Sequence, residues 1–239
     1  MIFRFKQFEV KHSDSLLKVN TDAVLLGALL SSNYAIKRAL DIGTGCGIIA
    51  LMAAQKFTDA TIDAIEIDDM SFQEASYNFK SSPFSNRLQA FHSALQDFIT
   101  INKYDLVFSN PPFFETPDFS KGKNKQDISL ERKKYATQFT LNFDELIQFT
   151  LPLLAPKGIF MVILPKDAVL NFTQKAAVNG LFLSKEVDIR SKPDQDFKRS
   201  VLCLEMQPPI KQTQDQITIY NKDGTRHSQY ASLTSEYYL

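Results

Sequence analysis

The chain has 239 residues, 44% of them apolar and 23% charged, so it can bury a full hydrophobic core as one large domain. Its 27 basic and 27 acidic residues cancel, so any nucleic-acid partner would have to bind a local basic patch. Cys46 and Cys203 lie far apart without metal-ligand spacing, which suits a reducing compartment and predicts no metal site. Because there is neither a signal-peptide pattern nor a run of roughly 18 apolar residues, we expect a soluble, cytoplasmic protein without a membrane partner.

Predicted strands and helices alternate along the chain. The first helix is predicted at 21–32, where apolar residues recur at helical spacing after Thr21 or Asp22 as N-cap. Further strands are predicted at 38–43, 61–68, 87–93, 104–110, 158–165 and 200–206, and further helices at 48–57, 70–82, 142–154 and 167–180. The alternation predicts an α/β fold, a mostly parallel central sheet with helices on both faces.

The tail and one internal segment depart from this rhythm. The last thirty-odd residues predict a C-terminal antiparallel strand or hairpin, with "KDGT" (222–225) as its turn. We therefore expect one domain, 1–239, made of an N-terminal extension (1–37), a core (38–206), and a hairpin and tail (207–239). The segment 114–140 is polar and unusually long for a connection. It is either a solvated loop or part of a binding surface, because it carries a cluster of cations: Lys121, Lys123, Lys125, Arg132, Lys133 and Lys134.

The stretch "LDIGTGCGIIA" (40–50) places three glycines, Gly43, Gly45 and Gly47, between a predicted strand and a predicted helix. Glycines permit a tight turn and let the backbone approach a ligand beside the unpaired amides of the helix N-terminus. Asp41 precedes this turn, and Glu66 ends the next strand 23 residues after Gly43. An acid at that point can accept hydrogen bonds from the hydroxyls of a ribose. Another nucleotide-binding α/β domain remains the alternative interpretation of the turn.

This pattern resembles the Rossmann-like methyltransferases that depend on S-adenosylmethionine. The resemblance implies that the glycine turn lies against the methionine end of the cofactor and that Glu66 binds its ribose. We also expect Asp41, which precedes the turn, to bind the cofactor. After the third core strand, members of this class commonly have an acid that binds the cofactor's adenine amine. Here Leu95 stands at that position and Asp97 two residues later, so either Asp97 or the backbone takes this role.

The stretch "NPPF" (110–113) follows the next predicted strand, at the edge where open α/β sheets bind ligands. It resembles the N-P-P-aromatic signature of methyltransferases that act on an amino or amide nitrogen. The side-chain oxygen of Asn110 and the carbonyl of Pro111 can accept the two N–H groups of an adenine amine and orient its lone pair. Phe113 can stack on the base, worth roughly 1–3 kcal/mol. The alternative is a proline-terminated strand followed by core aromatics.

Two reactions share this signature: methylation of adenine N6 and methylation of a protein glutamine amide. The glutamine enzymes carry a helical domain before the cofactor turn, and the 40 residues before Asp41 are too few for it. Instead, residues 3–28 resemble the N-terminus of the bacterial tRNA (adenine-N6) methyltransferases that act on adenine 37 of a valine tRNA. The stretches "IDAIEID", "SPFSNRL" and "YASLTSEYYL" resemble that family as well, so the resemblance spans nearly the whole chain.

The expected function is methyl transfer from S-adenosylmethionine to an adenine N6 in tRNA, with the anticodon loop as partner and the protein as a monomer. A basic patch would hold the RNA; it joins Arg4, Lys6 and Lys18 to the cationic segment that ends with Arg132, Lys133 and Lys134. Two alternatives stay open. One is an N-methyltransferase acting on rRNA, DNA or a protein amide, and the other is a non-catalytic RNA-binding protein that keeps the cofactor fold.

Overall fold

A computed structural model describes residues 1–13, 15, 18–111 and 141–239 of the chain. Its strands are β1 (Ile2–Arg4), β2 (Glu9–Lys11), β3 (Arg38–Ile42), β4 (Thr61–Glu66), β5 (Leu88–His92), β6 (Tyr104–Ser109), β7 (Leu154–Pro165), β8 (Phe182–Arg190), β9 (Arg199–Glu205) and β10 (Thr213–Thr218). Its α-helices are α1 (Thr21–Leu29), α2 (Ile48–Lys56), α3 (Asp69–Ser81), α4 (Phe143–Thr150), α5 (Val169–Val178) and α6 (Ser228–Leu233). None of the helices in these described ranges is long and apolar enough to cross a membrane.

Eight strands form one twisted sheet in the order β10-β8-β9-β7-β6-β3-β4-β5. All neighbours pair in parallel except β9, which is antiparallel to both β7 and β8. The carboxyl ends of the seven parallel strands therefore meet at one edge, together with the amino end of β9. This confirms the predicted mostly parallel sheet with helices on both faces and an antiparallel strand near the C-terminus.

Two hydrophobic cores cover the two faces of the sheet. Because successive side chains of a strand point to opposite faces, Ala39 of β3 belongs to one core and its neighbour Leu40 to the other. The first core is closed by α1, α2 and α3, and the second by α4 and α5. Strands buried on both sides account for the nearly continuous apolar runs that predicted them.

The N-terminus and the C-terminus meet on the outside of the first core. β1 and β2 form a short antiparallel hairpin. Phe3 and Phe5 from this hairpin pack on the ring of Tyr238, at centroid distances of 6.2 and 6.0 Å. The aromatic residues of the first ten positions thus serve as core side chains between the hairpin and the C-terminal turn.

The C-terminal region differs from the predicted hairpin. The turn at 222–225 is present, but a single antiparallel bridge, between Tyr220 and Arg226, flanks it. The strand before the turn, β10, pairs in parallel with β8 instead, and the residues after the turn form α6. A parallel partner lies far away in sequence, so local turn chemistry carries no information about it.

Candidate active site

Three neighbouring strands end side by side at the carboxyl edge of the sheet. Ile42 of β3 is paired with Ser109 of β6 and with Ile65 of β4. The next residues along these strands, Gly43, Asn110 and Glu66, are therefore adjacent at this edge. The register thus brings together the glycine turn, the predicted amine-binding residue and the predicted ribose-binding acid, although they lie far apart in sequence.

The glycine turn connects β3 to α2 with a backbone that side chains would not tolerate. Gly43, Gly45 and Gly47 have φ values of +69°, +57° and +86°, in the left-handed region. A Cβ at Gly47 would also lie 2.5 Å from Cε1 of Phe79 in α3. Gly47 is the N-cap of α2 and, having no side chain, supplies no side-chain cap to the first amides of the helix.

Glu66 ties the glycine turn to the start of α3. One of its carboxylate oxygens, Oε2, accepts a hydrogen bond from the Gly45 amide at 2.8 Å. The other, Oε1, accepts hydrogen bonds from the amides of Ile67 and Asp68 at 2.9 and 3.0 Å. A carboxylate offers about four acceptor positions, so one position on Oε2 remains for a hydroxyl. Burial raises the pKa of Glu66, and the amides of Asp68 and Gly45 act against that rise.

Asp41 lies beneath the turn and is fully buried. Its Oδ2 accepts a hydrogen bond from the Thr44 hydroxyl at 2.7 Å, whereas Oδ1 has no hydrogen-bond partner among the described residues. Burial raises the pKa of Asp41 to about 7, against the opposing effects of the Thr44 hydroxyl and the Ala50 amide. A buried acid with an unused oxygen beside a glycine turn fits a cationic ligand, because a nearby positive charge would stabilise its ionised form.

Burial and hydrogen bonding fix the end of β6, directly before the predicted amine-binding motif. Ser109 is buried and its hydroxyl donates to the Ile42 carbonyl at 2.8 Å, which joins β6 to the end of β3. Asn110 is half-buried and Pro111 is buried. Phe113, together with Arg132, Lys133 and Lys134, lies outside the described residues.

Asp97 lies after β5 and is not part of the glycine turn. It lies in a short 3-10 turn, Leu95–Asp97, after β5, and its side chain is exposed while Leu95 is buried in the core. Asp97 lines a cavity of about 570 Å³ together with His92, Ser93 and Phe98. Ser93 directly follows β5, and its amide donates a hydrogen bond to the Glu66 carbonyl at 3.0 Å. The carboxyl ends of β5 and β4 are therefore adjacent. The cavity therefore flanks β5 and extends from Ser93, at the carboxyl edge, to Tyr104 at the start of β6.

Two residues of α3 that the sequence did not indicate connect the N-terminal extension to the glycine turn. Glu74 accepts hydrogen bonds from the amides of Ser13 and Ser15, both at 2.9 Å. The side chain of Asn78 accepts a hydrogen bond from the Lys11 amide and donates one to the Lys11 carbonyl. It also donates to the carbonyl of Cys46 in the glycine turn at 2.8 Å. Their spacing of four residues was the available signal, since it places both on one face of the helix.

The predicted basic residues of the extension are not all close to the glycine turn. Lys18 is exposed shortly before α1, and Arg4 forms a surface ion pair with Glu9. The ammonium group of Lys6 donates to the carbonyl of Ser235 at 2.7 Å. That C-terminal turn also contacts the last turn of α2, which lies about 12 Å along the helix from the glycine turn.

The cysteines and histidines provide no alternative chemistry. Both cysteines are buried free thiols, and burial raises the pKa of each to about 12, so neither forms a thiolate nucleophile near neutral pH. His92 stacks on Phe72, and His227 caps α6. His12 is buried, and burial lowers its pKa.

The sheet order, the glycine turn and the acid after β4 define a Rossmann-like, S-adenosylmethionine-dependent methyltransferase. The family described as the methyltransferase small domain matches residues 15–126. A predicted O-methyltransferase from Agrobacterium tumefaciens superposes with a TM-score of 0.67, at 16% identity, over 90% of this chain and 96% of that chain. TYW2 of P. horikoshii, solved in complex with MeSAdo, superposes with a TM-score of 0.59 at 15% identity, over 86% of this chain and 70% of that chain. At these identities the two structures support the fold alone.

Sequence relatives extend over the full length of the chain. A protein of Dyadobacter fermentans named tRNA1(Val) (adenine(37)-N6)-methyltransferase is 37% identical over 99% of this chain and 97% of its own length. Its namesake in Flavobacterium johnsoniae is 35% identical over 100% of this chain and 99% of its own length. The chain therefore belongs to the family of tRNA1(Val) (adenine(37)-N6)-methyltransferases.

Proposed function

We propose that this protein transfers the methyl group of S-adenosylmethionine to N6 of adenine 37 in valine tRNA. The observation that carries the proposal is the register that places Asn110 beside Gly43 and Glu66 at one sheet edge. Membership of the family supports the reaction, and the names of the full-length relatives supply the substrate. We expect the protein to act in the cytoplasm, as a monomer.

The residues around the glycine turn would hold the cofactor, which supplies an electrophilic methyl group on a sulfonium cation. Gly43, Gly45 and Gly47 provide the close backbone approach to its methionine end. Asp41 provides buried negative charge beneath the turn, where a cation would lower its pKa from about 7. Glu66 would offer its remaining acceptor position to a ribose hydroxyl, and Asp97, which lines the cavity beside β5, would bind the adenine amine.

Asn110 and Pro111 would orient the target nitrogen. The amine of adenine is a weak nucleophile because its lone pair is delocalised into the ring. Hydrogen bonds from its two N–H groups to the Asn110 side-chain oxygen and the Pro111 carbonyl would direct that lone pair toward the methyl group. Phe113 would stack on the flipped base. Positioning of the reacting atoms would supply much of the rate, and the proton can leave to water after transfer.

The RNA would be bound as a single-stranded loop, where turning one adenine outward costs less than in a duplex. Lys18, near the start of α1, and the cations Arg132, Lys133 and Lys134 remain our proposed phosphate contacts. Lys6 is the least favourable member of this patch, because its ammonium group already binds the Ser235 carbonyl.

Mass spectrometry of nucleosides tests the proposal. In separate reactions, the protein and S-adenosylmethionine are incubated with valine tRNA, ribosomal RNA, DNA or a release factor. We expect N6-methyladenosine in the tRNA at position 37, and none in a tRNA whose adenine 37 is replaced by guanine. Methylation of another substrate with an unmodified tRNA would contradict the substrate assignment. Turnover with none of these substrates, despite bound cofactor, would favour a non-catalytic RNA-binding protein.

A further inference from the structure

Two loops run side by side at the carboxyl edge beyond the active site, after β8 and β10. The amide of Tyr220 donates to the carbonyl of Ser191 at 2.9 Å, and the ammonium group of Lys192 donates to the carbonyl of Lys222 at 3.2 Å. Together these loops and the end of β8 present five cations, which we name the basic edge: Arg190, Lys192, Lys198, Lys222 and Arg226.

The cations of the basic edge differ from their neighbours in lacking carboxylate partners. Among the ion pairs of the described residues, none involves any of the five. By contrast, Lys166 at the end of β7 contacts Glu186 and Asp188, and Arg199 at the start of β9 contacts Asp22. The acids on these loops are Asp194, Asp196 and Asp223. The last accepts its hydrogen bonds from Thr225, and these bonds, with a smaller effect of the Lys192 charge, lower its pKa. In a chain with no net charge, this is a local excess of positive charge.

Two of these cations are held in place before any partner binds. The guanidinium of Arg190 lies 5.3 Å from the ring centre of Phe197, and its Nε donates to Thr218 at 3.0 Å. The guanidinium of Arg226 lies 4.4 Å from the ring centre of Tyr238. Such stacking leaves the edge N–H groups of a guanidinium free for phosphate oxygens while it lowers the entropy lost on binding.

The position of the basic edge relative to Asn110 indicates which part of an RNA would reach it. Strands in a sheet are ~4.8 Å apart, so the end of β8 lies ~14 Å and the end of β10 ~19 Å from the end of β6. An RNA with one loop base at Asn110 would extend over the basic edge with the helical stem that closes the loop. A stem presents the phosphates of two RNA strands, and cations can bind these phosphates without contacting the bases.

We propose that the basic edge binds the phosphate backbone of the double-helical stem adjoining the loop that carries the target adenine. This inference rests on the proposed function, because that function places the loop at Asn110. It assigns to the C-terminal region, through β10 and the turn at 222–225, a role in gripping the substrate.

The test compares two charge-reversal variants of the full-length protein in RNA binding. The first, K198E/K222E, changes two exposed lysines of the basic edge. The matched control, K103E/K211E, changes two exposed lysines near the opposite edge of the sheet, before β6 and β10. Fluorescence anisotropy measures the affinity for a labelled anticodon stem-loop and for the loop sequence as an unpaired oligonucleotide, each over a range of salt concentrations.

For K198E/K222E we expect stem-loop binding to weaken at least about 10-fold, while loop-oligonucleotide binding changes less than about 2-fold. Loss of two duplex phosphate contacts should also reduce the slope of log affinity against log salt by roughly 1.8. The control should behave like the parent protein. Equal stem-loop affinity and salt slope in K198E/K222E and the parent would overturn the proposal.

Methylation measured in the same proteins separates this proposal from the proposed function. At saturating stem-loop, K198E/K222E should keep the parent turnover number and show only a raised KM. If the parent protein methylates no RNA but the basic-edge variant still loses stem-loop affinity, the proposed function fails and the basic edge stands as an RNA surface. If both RNAs lose affinity equally, the surface binds phosphates without preference for a stem, and the assignment to the stem is wrong.

Discussion

Two buried aspartates, one in each half of the sheet, have opposite electrostatic surroundings. Asp41 in β3 has one side-chain hydrogen bond, from Thr44, and burial raises its pKa to about 7. Asp188 in β8 is almost equally buried, and burial alone would raise its pKa too. Hydrogen bonds from Lys166, Ser200 and Gln214 outweigh that effect and hold its pKa below the ordinary value.

The difference indicates which half of the sheet is built for a ligand. Burying a carboxylate without a cation is costly, and groups with strongly shifted pKa values cluster at functional sites. Asp41 lies beneath the glycine turn, where the sulfonium cofactor would bind. Asp188 is already neutralised by Lys166, so it stabilises the strands that carry the basic edge. The half of the sheet around Asp41 thus keeps a buried acid without a cation, whereas the half around Asp188 compensates its buried acid with Lys166.

Asn110 lies where the two halves meet, and its replacement should have the largest effect. Without the side-chain oxygen, one amine N–H of the adenine loses its acceptor in the reacting geometry. We expect Asn110→Ala to lower kcat about 1,000-fold, the upper range for loss of one positioned hydrogen-bonding group. Affinities for cofactor and RNA, measured by calorimetry and anisotropy, should stay within about 3-fold. The exposed Asn33→Ala is the control, and full activity of Asn110→Ala would exclude the mechanism.

The two aspartates should give opposite pH dependences of stability. Because its folded-state pKa is about 7 and its ordinary value 3.8, Asp41 binds more protons folded than unfolded between these values. The free energy of unfolding should therefore fall as pH rises from about 4 to about 7. Asp188, with its lowered pKa, contributes stability above its ordinary pKa that is lost as pH falls through its folded pKa.

The comparison of parent protein and Asp41→Asn isolates the first effect. Glu66 also has a raised pKa, so the parent curve alone contains both contributions. Urea unfolding without cofactor should show the decline between pH 4 and 7 reduced in Asp41→Asn, by about 3 kcal/mol for a shift of this size. Identical curves for the two proteins would mean that Asp41 is ionised in the free protein.

The variant Glu66→Gln tests whether the half of the sheet around Asp41 contributes to cofactor binding alone. In Glu66→Gln the amide nitrogen cannot accept the Gly45 hydrogen bond or one from a ribose hydroxyl. We expect cofactor affinity to fall about 30-fold, equivalent to about 2 kcal/mol for lost charged hydrogen bonds, while RNA affinity stays unchanged. Calorimetry measures the first and anisotropy the second. An unchanged cofactor affinity would show that the ribose binds elsewhere.

The variant Lys166→Met tests the ion pair between Lys166 and Asp188, and its effect should be the smallest of those predicted. Lys166→Met leaves the buried Asp188 with only hydroxyl and amide partners, so we expect the free energy of unfolding to fall by about 1–2 kcal/mol. The control is Lys185→Met, which removes a solvent-exposed ion pair between Lys185 of β8 and Asp215 of β10 and should cost less than about 0.5 kcal/mol. Equal losses in urea unfolding would mean that burial of Asp188 does not matter.

Much of the core was predictable because its signals are local. The apolar runs of β3 and β6 end at glycines and prolines, so their carboxyl ends were predicted to within one residue of Ile42 and Ser109. Phe182–Arg190 was missed as a strand, since "FLSKEVDIR" carries four charged residues in nine. Lys166, Ser200 and Gln214 donate hydrogen bonds to the buried Asp188 and so stabilise this strand. All three lie outside the strand in sequence.

The sequence by itself determined the fold class, the glycine turn and the position of Asn110 at a strand end, because periodicity and backbone-restricting residues act over a few positions. Only the tertiary structure decided which charges are compensated. Glu74 and Asn78 have the composition of a solvated helix face, yet they are buried against the N-terminal extension. Lys166 and Lys198 are equally basic in sequence, yet the first is paired and the second belongs to the basic edge. Pairing depends on partners 20 or more residues away, which local sequence does not specify.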